Sequence, residues 1–183
     1  MSVQAEQVQE RRQQQDAASV EFVEALLNVR RVAKVIRGGR RFAFSALVVV
    51  GDRNGKVGIA LGKGREVSAA IAKAFKRARK NLVAVPLFNS TVPFETVGFY
   101  GASKVILRGA TKGTGVIAGG AMRTICDAAG IKDVLAKSIG SSNPQNVAKA
   151  TFAALGKLRS ARQIAKLRGK TIAELIEGSN VAA

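Results

Sequence analysis

The sequence predicts an α+β fold in two units, and three observations carry that prediction. Runs of alternating apolar residues mark strands in the first part of the chain. One continuous apolar stripe at helical spacing marks a helix behind them. Pro86 and Pro93 then bracket a β-leaning connection, after which short strand candidates, a glycine-rich turn and further helices follow.

In chain order, residues 1–20 read as a polar arm, 21–85 as the first domain, 86–160 as the second and 161–183 as a tail with a short helix. The arm contains Gln13, Gln14 and Gln15 and lacks the apolar core of a signal peptide. In the first domain Val29 to Ile36 is β-branched and basic. Phe42, Phe44, Ala46, Val48 and Val50 alternate strictly, so they are expected to share one buried strand face. Asn54-Gly55 is a strong hairpin signal, and Val57, Ile59 and Leu61 resume the alternation in a third strand. Val67, Ala70, Ile71, Ala74, Phe75, Ala78 and Leu82 form the helical stripe, with Lys73, Lys76, Arg77 and Lys80 on roughly the opposite face.

The second domain predicts strands over residues 95–100, 104–107 and 134–139. The turn from Gly113 to Gly120 leads into a helix that ends at Gly130. Asn143-Pro144 reads as an N-cap followed by proline at the first helical position, and Val147, Ala150, Thr151, Ala154, Leu155 and Leu158 supply that helix's stripe. Thr171 and Glu174 form a capping box in the tail.

Composition narrows the chemistry. With 183 residues and 47% hydrophobic content, the chain can bury a real core. It has no histidine and one cysteine, Cys126, so the commonest general base, zinc sites and Cys–His dyads are absent. No cofactor, metal or small-molecule substrate is expected. A reducing cytoplasm fits the lone thiol, and no run of ~18 apolar residues predicts a membrane span.

Charge says more. Residues 28–83 hold fifteen Lys or Arg against Asp52 and Glu66, which is +13 of a net +18. Such density opposes folding unless a polyanion neutralises it, which points to a nucleic acid or an anionic surface, and to nucleic acid first. The candidate RNA-binding residues are Arg30, Arg31, Lys34, Arg37, Gly38, Gly39, Arg40, Arg41, Arg53, Lys56, Lys63 and Arg65. Around Gly38-Gly39 the glycines admit a phosphate closely while the arginines grip it; the same residues also suit a plain solvated hairpin tip. Gly58, Gly62 and Gly64 read as bulges or turns, with close ligand approach as the sharper option. Aromatics are sparse, with eight Phe, one Tyr and no Trp, so structured RNA read by shape and phosphate fits better than base stacking.

Gly113-Thr114-Gly115-Val116-Ile117-Ala118 formally matches the dinucleotide fingerprint, with Asp133 at a tolerable distance, so a dinucleotide-dependent enzyme is one rival reading. Tight helix entry and packing explain the glycines more simply. A free double-stranded-RNA-binding regulator is the other rival.

Several blocks resemble one known family. They are Val32-Ala33-Lys34-Val35-Ile36-Arg37-Gly38-Gly39-Arg40, Val50-Gly51-Asp52 with Asn54-Gly55, Gly62-Lys63 and Arg65-Glu66-Val67. Gly101-Ala102-Ser103-Lys104-Val105, the run from Gly113 to Arg123 and Gly140-Ser141-Ser142-Asn143-Pro144 follow in family order. Together they resemble the family of the fifth protein of the small ribosomal subunit. The resemblance implies a first domain like a double-stranded-RNA-binding fold, with three antiparallel strands plus a helix, and a second with a split βαβ arrangement. It implies a structural, non-enzymatic role near the channel by which messenger RNA enters. The implied partners are ribosomal RNA and the fourth and eighth small-subunit proteins. Arg37, Gly38, Gly39 and Arg40 match a loop associated with spectinomycin sensitivity. Gly115 and Arg123, with Gly113 and Thr114 beside them, match the contact with the fourth protein, where changes alter decoding accuracy. Phe99 and Tyr100 stand where the family often has histidines.

Overall fold

The computed structural model describes residues 22–172 and residue 174; the polar arm lies outside them. The alternating apolar runs form a four-stranded antiparallel sheet of β1 (Val23–Ile36), β2 (Gly39–Gly51), β3 (Lys56–Gly64) and β4 (Leu82–Ala84), in that order. The stripe from Val67 forms α1 (Val67–Lys80), whose buried residues are Ala70, Ala74 and Ala78, whereas Leu82, expected at the end of the stripe, lies in β4 instead. Ala74 and Ala78 pack on Val48 and Val50. Small side chains on the helix meet missing ones on β3. A Cβ at Gly58 or Gly62 would strike the Ala78 or Ala70 carbonyl, and one at Gly64 the Ala70 amide. These three glycines therefore mark neither turns nor a ligand, but the close seat of α1 on its own sheet.

The expected buried face of β2 is only half right. Ala46, Val48 and Val50 are fully buried, whereas Phe42 is 50% exposed. β3 pairs with β2 only from Phe44 onward, so Phe42 lies beyond the last cross-strand neighbour that could cover it. Leu47 and Val49, on the opposite face, are buried as well, because that face packs into the second half of the molecule.

The second sheet has the order β5-β6-β8-β7, from β5 (Thr96–Tyr100), β6 (Ser103–Gly109), β7 (Val116–Ile117) and β8 (Val134–Gly140). β7 and β8 run parallel and are joined by α2 (Gly120–Ala129); the other pairs are antiparallel. Gly130, at φ +85°, stops α2 as a left-handed cap. The Asn143 side chain accepts from Gln145 N–H at 3.2 Å to start α3 (Pro144–Leu155). A further helix, α4 (Ala161–Arg168), opens on a reciprocal Ser160–Gln163 capping box. In the tail the Glu174 carboxylate accepts from Thr171 N–H at 2.9 Å, as the capping-box reading expects.

One apolar core joins both sheets. Leu47, Val49 and Val57 belong to the same buried cluster as Val105, Leu107, Met122, Ile125 and Val134. The β2–β3 hairpin tip is docked on α2 rather than left in solvent: Arg53 N–H donates to Ala128 O at 3.1 Å and Gly55 N–H to Ala129 O at 2.9 Å. The Asp52 carboxylate closes this turn by accepting from Asn54 and Lys56 N–H, each at 2.8 Å. Among the described residues no helix is long and apolar enough to cross a membrane.

Candidate nucleic-acid interface

β1 and β2 pair as far as Ile36 with Gly39, well beyond the end of β3. Their outer part is therefore a two-stranded ribbon with water on both faces. Every residue from 30 to 42 is exposed. Six of them are basic (Arg30, Arg31, Lys34, Arg37, Arg40 and Arg41) and none is acidic.

Strand alternation and pairing register divide these side chains between the two faces. Arg31 and Arg40 share a face with Val35 and Phe42, while Arg30, Lys34 and Arg41 share the other with Val32 and Ile36. The Arg31 guanidinium lies 4.0 Å from the centre of the Phe42 ring, which fixes one cation in place. At the tip a Cβ on Gly38 or Gly39 would meet nothing within 4 Å, and Gly39 has φ +138°. An isolated two-stranded ribbon is marginal in water. This one combines that weakness with self-repulsion, and a polyanion lying along it relieves both.

The other candidate residues divide into two groups. Lys63 and Arg65 are exposed at the root of the ribbon, where Lys63 pairs with Ser45. Arg53 and Lys56 are exposed at the opposite end of β2, about 40 Å along the strand at ~3.3 Å per residue. The structure thus brings ten of the twelve residues to one end and leaves two at the other. On α1, Arg77 donates to Leu61 O at 3.1 Å and Arg79 pairs with Glu24 at 2.7 Å, so only part of that basic helix points free to solvent.

The glycine-rich turn is organised by Asp133. This buried carboxylate accepts from Gly113 N–H at 2.9 Å, Gly115 N–H at 3.0 Å and the Ser90 hydroxyl at 2.6 Å. The Ser90 hydrogen bond first, then the turn's amides, hold its carboxyl below the usual range. Gly113 and Gly115 have φ of +94° and +76° with open space around them, so backbone conformation requires glycine there. Arg123 is exposed on the first turns of α2.

The same geometry removes the dinucleotide reading. The amides that would cradle a pyrophosphate already serve Asp133, β7 lies inside the motif, and α2 begins only at Gly120. Cys126 is a core residue whose thiol is pushed up to about 12, by burial first and by the charge of Asp127 second. It offers no nucleophile.

Two family models match the chain: "Ribosomal protein S5, N-terminal domain" over residues 22–86 and "Ribosomal protein S5, C-terminal domain" over residues 98–168. The small ribosomal subunit protein uS5 of Lawsonia intracellularis is 54% identical over 151 residues, covering 82% of this chain and 93% of the relative. The chain belongs to the ribosomal protein S5 family. Its counterpart from Syntrophobacter fumaroxidans is 50% identical over 160 residues, covering 87% and 96%. That from Gluconobacter oxydans is 53% identical over 156 residues, covering 85% and 82%. These relatives are ribosomal proteins rather than enzymes.

Sequence reasoning missed what Asp133 does. Its distance from the glycines fitted the dinucleotide fingerprint, but the carboxylate turns inward and holds the glycine turn itself.

Proposed function

We propose that this chain is a structural constituent of the small ribosomal subunit in the cytoplasm, and that it binds ribosomal RNA chiefly through the β1–β2 ribbon. The observation that carries this reading is the run of thirteen exposed residues with six cations and no acid. Cations on both faces suit insertion between RNA segments better than docking on one of them. Lys63 and Arg65 extend the contact at the root, and Arg53 and Lys56 reach a separate stretch of RNA.

In this reading the protein stabilises the subunit beside the channel by which messenger RNA enters, and the Arg37 to Arg40 tip bears on spectinomycin sensitivity. Gly113, Thr114, Gly115 and Arg123 form the contact with the fourth small-subunit protein, through which decoding accuracy is influenced; the eighth protein is a further neighbour. Two features support the contact: the open space around Gly113 and Gly115, and the exposed Arg123 at the start of α2.

The test uses cells whose only copy is wild type or Arg123→Leu. The wild-type protein is expected to sediment almost wholly with small subunits. The variant is expected to do the same while a reporter records altered misreading. A largely free wild-type protein would favour the regulator instead, and unchanged misreading would reject the interface.

A further inference from the structure

We propose that the free edge of β5 is a second RNA contact, which holds unpaired nucleotides by stacking on Phe99 and Tyr100. It rests on the reading of this chain as RNA-binding, but it uses none of the ribbon.

β5 is the outer strand of its sheet. At its end Phe99 is 60% exposed and Tyr100 is 42% exposed. Three lysines converge there, one from β6, one from α3 and one from the turn that follows α3. Lys104 on β6 and Lys157 beyond α3 each place Nζ 5.7 Å from the centre of the Phe99 ring. Lys149 on α3 lies 4.5 Å from the centre of the Tyr100 ring and donates to its hydroxyl at 2.8 Å. The two ion pairs among the described residues, Arg79 with Glu24 and Arg108 with Glu95, involve none of the three.

A simpler role for lysine is to guard an exposed strand edge against pairing. Lys157 does this, donating to Val97 O at 2.6 Å. One guard does not account for two exposed aromatic rings or for Lys104 and Lys149. The combination of π-faces and cations that no carboxylate among the described residues neutralises matches a ligand with both flat rings and negative charge. An acidic peptide would satisfy the lysines and leave the rings wet, whereas a nucleotide satisfies both. The nucleotides must be unpaired, because a duplex hides its base faces. Phe99 and Tyr100 are adjacent on a strand and so project to opposite sides of it. The bound bases are accordingly splayed across the edge, one to each ring.

Tyr100 is the only tyrosine and the chain has no tryptophan, so the protein's intrinsic fluorescence reports on this spot. The full-length protein is titrated with oligouridylate, and separately with duplex RNA and with polyglutamate. Saturable quenching by oligouridylate is expected. Phe99→Leu should weaken that binding roughly tenfold, the scale of one lost stack. It should leave duplex affinity and melting temperature unchanged, and Phe99→Tyr should restore the binding. Oligouridylate that binds without quenching Tyr100, or an unaffected Phe99→Leu, overturns the edge site while leaving the ribbon reading intact. Equal quenching by polyglutamate overturns it in favour of an acidic protein partner. Binding of neither RNA overturns both readings.

Discussion

Gly39 and Gly51 begin and end the same strand in opposite surroundings. Gly39 stands in open water with nothing within 4 Å of a would-be Cβ, whereas a Cβ on Gly51 would collide with the Ala128 carbonyl. The strand between them changes character along its length. Its outer part carries cations on both faces, and its inner part carries buried apolar residues on both. One sheet thus serves as an internal wall at one end and as an outward arm at the other. The difference is set by what covers each segment: the outer ribbon lacks β3, α1 and the second sheet, and its charge keeps it from recruiting them.

Breaking the inner end should have the largest effect. Gly51→Val inserts a branched side chain into the Ala128 backbone, so about 3 kcal/mol or more of stability should be lost. For a chain of this size that lowers the melting temperature by roughly 6–12 °C. Calorimetry checks it, and an unchanged transition would mean that the contact between β2 and α2 yields easily.

The glycine turn offers an intermediate case, because Gly113 and Gly115 have open space yet are held by Asp133. Asp133→Asn should lower the melting temperature by a few degrees at neutral pH. The sign of the pH dependence follows from the lowered native pKa. The carboxylate's contribution is complete above the ordinary unfolded value, about 3.9, and fades as pH falls through the lower native one. Melting curves of wild type and variant should therefore begin to approach each other below about pH 4 and meet below the lower native value. A gap that persists in acid would show that the amide group disrupts packing rather than removing a charge.

The smallest effect on the fold belongs to the outer end. Gly38 lacks the positive φ of Gly39 and has free space, so Gly38→Val should leave melting unchanged while RNA affinity falls on the order of tenfold, the scale of one charge-assisted hydrogen bond. The same substitution at Gly39 would mix backbone strain with the binding effect. Wild-type affinity should itself fall steeply with salt, each neutralised phosphate adding about −0.7 to −0.9 to the log–log slope. Unchanged affinity for Gly38→Val would mean that this glycine serves the turn alone.

What the sequence revealed follows from how local each determinant is. The α1 stripe, the Asn143 cap and the Asn54-Gly55 hairpin are written in consecutive residues, and the structure places all three. Phe42 continued the alternation of Ala46 and Val48, but where β3 stops is a matter of pairing that no period encodes. The unbroken run Ala46-Leu47-Val48-Val49-Val50 was itself a sign of burial on both faces. β4 and β7, at three and two residues, are too short to show any period. α4 buries only Ala165, so its stripe was invisible, although the Ser160–Gln163 capping box could have announced it. The ribbon's cations were legible as charge. Their separation from Arg53 and Lys56 was not, since neighbours in sequence order lie at opposite ends of a long strand.

The wall shared by the two sheets also constrains the order of events during synthesis. A polypeptide emerges from its N-terminal side, so Leu47 and Val49 leave the exit tunnel before Met122, Ile125 and Ile131, with which they share one buried cluster in the finished fold. Until those arrive, the nascent first half presents an uncovered apolar face together with most of the chain's positive charge. This is the interval in which it is most exposed to aggregation and to capture by the wrong polyanion. Completion of α2 ends it, when Ala128 and Ala129 close over the hairpin tip.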